Sequence, residues 1–151
     1  MPLLGPLFVA LAFLAGSACR GSSPPTGPTP TGGALAGIWT GTLSSAGATE
    51  SVRLELVEAA FGAGSIITGT YVSRDAAGSA ADSTGTVAGA SLDGRVSLTL
   101  KPSRPPPCAT TQPVPAGDVL LTMTAAENRL LGDGVAVNCG GDARVTAQFT
   151  K

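Results

Sequence analysis

From Leu35 onward, apolar and polar residues alternate along most of the chain. In Leu35–Leu43 the odd positions put Leu35, Trp39 and Leu43 on one face, with glycines between them. Val52-Arg53-Leu54-Glu55-Leu56 alternates apolar with charged, the mark of a strand with one wet face. Ile66–Ser73 and Ser83–Ala90 read as two further strands, and Leu92-Asp93-Gly94-Arg95 is a tight hairpin signal leading into the alternating Val96–Leu100. Val119–Thr124, Leu130–Val137 and Arg144–Thr150 complete the set, the last with Val145, Ala147 and Phe149 opposite Arg144, Thr146 and Gln148. No helical period occurs in this region, and Gly78 with its Ser and Asp neighbours makes Ala76–Ala81 a loop.

Eight strands with mostly short connections predict an all-β fold: a small antiparallel up-and-down barrel, with a β-sandwich as the alternative. Thr40-Gly41-Thr42, Thr68-Gly69-Thr70 and Thr84-Gly85-Thr86 repeat one pattern at unequal spacing, so they do not mark a solenoid. A mid-strand glycine gives up packing and marks a bend or close approach, and several of them suit the curvature of a closed barrel. Asp133 breaks the pattern. On strict alternation it shares a face with Leu131, Val135 and Val137, so it is a buried acid, a ligand contact or, the favoured reading, the sign of a bulge that shifts register.

Before Leu35 the pattern is different. Leu3–Ala18 is almost unbroken apolar sequence that runs out into Ala15-Gly16-Ser17-Ala18. It is shorter than the roughly 20 residues a membrane span needs, and has the apolar core and small-residue end of a secretory signal, although no Lys or Arg precedes it. Gly21–Gly33 is Pro, Gly, Ser and Thr with no apolar anchor, and is expected to be an extended tether. The chain therefore divides into a signal (1–18), an anchor and tether (19–34) and a barrel domain (35–151).

Leu14-Ala15-Gly16-Ser17-Ala18-Cys19 resembles the lipobox of bacterial lipoproteins, with Gly16 where Leu is usual. The resemblance implies that Cys19 becomes the first residue and carries a diacylglycerol on its thiol, with its amine acylated as well. It also implies a place in the cell envelope, with Arg20 directing the chain to the outer membrane of a Gram-negative host. Ordinary cleavage after Ala18 is the alternative.

Of the three cysteines, this leaves Cys108 and Cys139. In an oxidising compartment they are expected to pair, closing a loop worth roughly 3–4 kcal/mol on a chain-entropy basis. Cys108 lies in the Pro-rich stretch Lys101–Gly117, where Pro102, Pro105, Pro106, Pro107, Pro113 and Pro115 argue against a regular strand. Cys139 lies in the last turn, so the bridge would staple that loop to the hairpin between strands seven and eight.

Composition excludes more chemistry than it suggests. The chain has no histidine, which removes Ser-His-Asp and Cys-His catalysis and histidine metal sites. Two cysteines alone make a poor zinc site, and no residue set points to a metal or cofactor. A net charge of −1 with no basic stripe argues against nucleic acid. The carboxylates are scattered, with Glu55 and Glu58 assigned to a solvated face and a hairpin end.

Gly37-Ile38-Trp39 resembles the Gly-x-Trp that opens the first strand of the calycin-type barrels, lipocalins and avidins. Thr68-Gly69-Thr70-Tyr71-Val72-Ser73 is similar to the third strand of avidins, in which the Tyr and Ser contact the ureido oxygen of biotin, and Phe149-Thr150-Lys151 is similar to their final strand. The resemblance implies a barrel with Tyr71 and Ser73 in a pocket. It does not imply biotin: Trp39 is the only tryptophan, Gly41 replaces an Asn of the biotin site and Ala147 an Asp.

Trp39, Tyr71 and Ser73 are therefore the candidate ligand contacts, with core filling the stronger reading for the two aromatics. The expected function is a non-enzymatic envelope lipoprotein, held to the membrane through Cys19, whose barrel binds a small apolar or amphipathic ligand or an envelope component. The alternative is a solid barrel that presents loop 101–117 to a protein partner. An enzyme ranks third, for want of a carboxylate pair.

Overall fold

A computed structural model describes residues 34–75, 82–108 and 114–151. The expected signal and tether, Cys19, Ala76–Ala81 and residues 109–113 of the Pro-rich loop lie outside the described residues. The rest is one closed antiparallel barrel in sequence order, β1-β2-β3-β4-β5-β6-β7-β8, with β1 also paired to β8. The strands are β1 Gly37–Ser45, β2 Ala48–Phe61, β3 Gly64–Asp75, β4 Ser83–Leu92, β5 Arg95–Pro102, β6 Val119–Ala126, β7 Arg129–Ala136 and β8 Ala143–Thr150. All eight expected strands are present, most of them longer than the alternation alone marks.

The stagger follows from the register. A row of paired residues runs Ser65, Ser91, Val96, Met123, Gly132, Ala147, Leu43, Glu50 and returns to β3 at Asp75, ten residues beyond its start. With about 3.3 Å per residue and about 4.8 Å between strands, that stagger tilts the eight strands by roughly 40° to the axis. A barrel of this size is just wide enough for side chains to fill.

They do fill it. Trp39, Leu54, Ile67, Val96, Leu98, Leu100, Met123, Leu130 and Phe149 are all fully buried inside. The glycines explain how bulky residues fit. Gly41, Gly69 and Gly85, the centres of the three Thr-Gly-Thr repeats, all face inward, while Thr40, Thr68, Thr70, Thr84 and Thr86 face solvent. A side chain on Gly85 would place its Cβ 2.0 Å from the Lys101 carbonyl oxygen and 2.6 Å from the Tyr71 ring.

The same device corrects the reading of Asp133. β7 pairs residue for residue with both β6 and β8, so it has no bulge. Its inner face is Leu130, Gly132, Gly134 and Ala136, and Asp133 stands exposed outside with Leu131 and Val135. Apolar content pointed to the wrong face because the inner positions hold glycine, where neighbouring backbone comes too close for a Cβ: 2.1 Å at Gly132 and 1.9 Å at Gly134. The strict alternation ends with the strand, so Val137 is buried beyond it.

β5 also runs two residues further than the prolines suggested, through Lys101 and Pro102. Ser103 N–H donates to the Thr84 carbonyl, so the Pro102 nitrogen faces the other neighbour, β6, whose pairing with β5 has already stopped at Leu100 and Val119. A missing N–H costs nothing there.

The two ends of the barrel differ. One end carries three two-residue hairpins, closed by Phe61–Gly64, Leu92–Arg95 and Ala126–Arg129, together with the start of β1 and the end of β8. Asp93 and Gly94 have φ of 50° and 74°, the paired left-handed conformation of a type I′ turn. The other end carries the β1–β2 hairpin and the longer β3–β4, β5–β6 and β7–β8 connections.

Candidate binding site at the open end of the barrel

The hairpin end is plugged. Leu35 lies across it, and the fully buried Trp39 donates its indole N–H to the Leu35 carbonyl at 2.8 Å. Leu35 N–H donates to Glu58 Oε2 at 2.8 Å, and Ser65 Oγ donates to Glu58 Oε1 at 2.6 Å and meets Ser91 Oγ at 2.6 Å. Lys151 Nζ donates to the Ala34 carbonyl at 2.9 Å and sits 5.6 Å from the Trp39 ring centroid, a cation–π arrangement. Glu58 is thus a half-buried acceptor that pins the entering chain, not the free hairpin-end carboxylate its sequence context suggested. Trp39 is part of this plug.

The opposite end is open. Above Leu100 and Leu43 lies a cavity of about 220 Å³. Leu43, Tyr71, Leu100, Val119 and Ala136 form its apolar wall, with Glu50, Ser73, Ser83, Arg104 and Asn138 around them and Pro102, Pro106 and Gly117 on the loop side. A second hollow of about 130 Å³ adjoins it and shares Leu43, Glu50, Val119, Ala136 and Asn138. Larger hollows lie elsewhere: about 460 Å³ beside Arg53 and Arg74 and about 610 Å³ beside Asp133 and Arg144, both on the outer wall, and about 320 Å³ at the rim of the hairpin end, lined by Glu58, Gly64, Ser65, Ser91, Leu92 and Asp93. Their linings mix apolar residues with exposed polar ones. The mouth differs in joining a buried apolar wall to convergent polar groups, the pattern of small-molecule sites.

Tyr71 and Ser73, two residues apart on the inner face of β3, are both buried in this mouth, at 6% and 5% exposure. Burial pushes the Tyr71 phenol above its ordinary value; the Ser83 hydroxyl bonded to it pulls the other way, and the negative charges of Glu50 and Asp118 raise it further. The phenol is therefore a neutral donor and acceptor in the mouth throughout the physiological range. Of the three expected ligand contacts, the structure brings Tyr71 and Ser73 together and leaves Trp39 in the plug.

The loop wall is fixed covalently. Cys108 and Cys139 are bonded, with Cα atoms 5.7 Å apart and a sequence separation of 31. The bridge ties the β5–β6 loop to the β7–β8 connection, as expected, and each cysteine lies within two residues of a mouth-lining residue, Pro106 and Asn138. Backbone bonds from Gly117 N–H to the Val137 carbonyl (2.7 Å) and from Val137 N–H to the Asp118 carbonyl (2.9 Å) join the same two segments. Gly117 has φ 93°, and a Cβ there would meet Pro106 and Pro102 at 2.7 and 2.9 Å, so both its conformation and its surroundings require glycine.

Sequence reasoning missed Glu50, Ser83, Arg104, Ala136 and Asn138. Glu50 and Ser83 carried a signal: each continues the inward parity of its strand, Val52 and Leu54 on β2, Gly85 and Val87 on β4. Arg104 and Asn138 lie in loops, where no period points anywhere. Among the described residues no group of three or more carboxylates or cysteines could hold a metal ion, and no helix is long and apolar enough to cross a membrane.

Compared with protein-family models, curated proteins and solved structures, the chain finds no match. The fold and the mouth are therefore the ground for assigning a function. Together they describe an all-β, closed eight-stranded barrel, plugged at the end where the chain enters and hollow at the other.

Proposed function

We propose that this protein is an exported, lipid-anchored, non-enzymatic barrel that binds a small amphipathic molecule in its open mouth. The observation that carries the reading is the cavity of about 220 Å³ in which the buried Tyr71 and Ser73 meet an apolar wall. A cavity of that size takes a ligand of roughly ten non-hydrogen atoms at the packing density of a protein interior. Tyr71, Ser73 and Ser83 would bond its polar end, and Leu43, Leu100, Val119 and Ala136 would enclose its apolar body. The anchor rests on the lipobox-like run ending at Cys19. Because β1 starts at the plugged end, a tether arriving at Ala34 leaves the mouth facing away from the membrane, open to ligand from the surrounding space.

The test is native mass spectrometry of the mature protein from its host, repeated after denaturation. A reproducible extra mass lost on denaturation, and absent from a folded Ala136→Trp variant whose new side chain fills the mouth, supports the reading. A bare mass, together with failure of a small-amphiphile library to shift the unfolding temperature, would assign function to the exposed Pro-rich loop and a protein partner instead. The denatured mass also reads the acyl chains on Cys19.

A further inference from the structure

The outer wall should be polar, and on β5 to β8 it mostly is. Six large hydrophobic residues are exposed among the described residues: Ile38 (49%), Val57 (46%), Phe61 (68%), Leu92 (53%), Leu120 (37%) and Leu131 (40%). The first four, which include the three most exposed, sit on β1, β2 and β4 towards the plugged end. They belong to an apolar band edged by the exposed Glu55 and Thr68, the cross-strand partners of Ile38 and Val57. Ala59 pairs with Ile66, and Ile66 with Ala90, all facing outward. Phe61 pairs with Gly64 across the hairpin, and Leu92 Cδ1 lies 3.5 Å from where a Gly64 Cβ would stand. The glycine thus lets the tips of two neighbouring hairpins, led by Phe61 and Leu92, share one apolar surface. Nothing in the barrel core requires this: the residues point away from it.

The place of this band matters more than its size. The described chain begins at Ala34, at the same end of the barrel, where Lys151 holds its carbonyl. The 33 residues before it contain the apolar Leu3–Ala18 and then Cys19. We infer that the band formed by Ile38, Val57, Phe61 and Leu92 is a lipid-docking surface, which lays the plugged end of the barrel against the bilayer that holds the acylated Cys19. This inference rests on the anchor in the function proposed above, and not on the mouth or its ligand.

Only fourteen residues, Arg20–Gly33, separate Cys19 from Ala34, so even at full stretch they keep the band within about 50 Å of the acylated cysteine and at high local concentration beside the membrane. A patch of four side chains binds bilayers weakly by itself. Tethered, it needs only that weak preference to stay docked, and docking then holds the mouth pointing outward.

The test uses the full mature chain, purified with its lipid and reconstituted in phosphatidylcholine vesicles. Phe61→Trp places a reporter at the hairpin tip; wild type, whose only tryptophan is the fully buried Trp39, supplies the background. Docking predicts that the added indole emission shifts to the blue and loses more than half its intensity when the phosphatidylcholine is brominated on its acyl chains. A Leu120→Trp reporter, on the outer face of β6, should do neither. An acylated protein whose Phe61→Trp indole stays in water overturns the docking alone. A blue shift that follows protein concentration and ignores brominated lipid overturns it in favour of a second copy of the chain. A denatured mass without acyl groups overturns the anchor and this inference with it.

Discussion

Gly134→Ala is the sharpest probe of how this barrel closes. The substitution adds one methyl group, at an inward position of β7 where φ is not restrictive. In most strands it would be neutral or mildly stabilising, since alanine reduces the freedom of the unfolded chain. Here the new Cβ would fall 1.9 Å from the Leu120 carbonyl oxygen, 2.9 Å from its carbon and 3.0 Å from Leu121 Cα. All three are backbone atoms of β6, so no rotamer can relieve the contact. The β6 backbone would have to retreat by about 1.1 Å to bring the closest contact to 3.0 Å. β6 cannot retreat freely, because Leu121 also pairs with Leu98 of β5. Overpacking of this kind costs about 1–3 kcal/mol, and weakening one or two ladder hydrogen bonds adds about 1 kcal/mol each. The expected loss is about 3 kcal/mol, a large share of the roughly 5–15 kcal/mol of a typical domain. For a domain of this size that lowers the melting temperature by about 10 °C. Thermal unfolding followed by circular dichroism measures it, with Gly140→Ala as control, because a Cβ on Gly140 meets nothing within 4 Å. Equal melting temperatures for wild type and Gly134→Ala would refute the argument that the inward glycines are there for backbone approach.

Further outcomes follow from the same geometry. Replacing both Cys108 and Cys139 by Ser should cost about 3–4 kcal/mol of unfolding free energy in a denaturant titration, from release of the 31-residue loop, and a cost near zero would mean that loop is already ordered without the bridge. Tyr71 is the only tyrosine, so phenolate absorbance reads it alone: the native midpoint should lie above 10.0 and the unfolded midpoint near it. Below pH 10 both states hold the proton; above it the unfolded chain releases its proton first, so Tyr71 destabilises the fold as pH rises from 10 towards the native midpoint, and Tyr71→Phe should remove that part of the alkaline loss. Glu58→Ala should cost about 2 kcal/mol by orphaning the Leu35 N–H and the Ser65 hydroxyl, with Trp39 emission moving to the red as the plug loosens; unchanged emission would show that Leu35 holds its place without the carboxylate.

Much of this molecule is legible along the chain because strands declare themselves locally. Alternation in Val52–Leu56 and Val145–Phe149 names their buried sides, Asp93-Gly94 is written in the chemistry of a type I′ turn, and three Thr-Gly-Thr repeats announce curvature. Elimination of Cys19 singles out the Cys108–Cys139 pair, which the structure joins. The lipobox-like run is likewise a local sequence signal, read without any fold.

What depends on closure could not be read this way. Strict alternation groups Asp133 with Leu131, Val135 and Val137 and, with hydrophobicity as the guide, invokes a bulge, whereas the inner face of β7 is decided by how near β6 and β8 come, and that follows from a ten-residue stagger summed around eight strands. Trp39 on β1 and Tyr71 on β3 look alike as inward aromatics, yet one is plugged under Leu35 and the other opens into a cavity. The difference lies in where the tilted strands end. The mouth itself is assembled from Glu50, Ser83, Arg104 and Asn138, on two strands and two loops far apart in sequence. Alternation records which way a side chain points relative to its own backbone; only the closed barrel decides what stands opposite it.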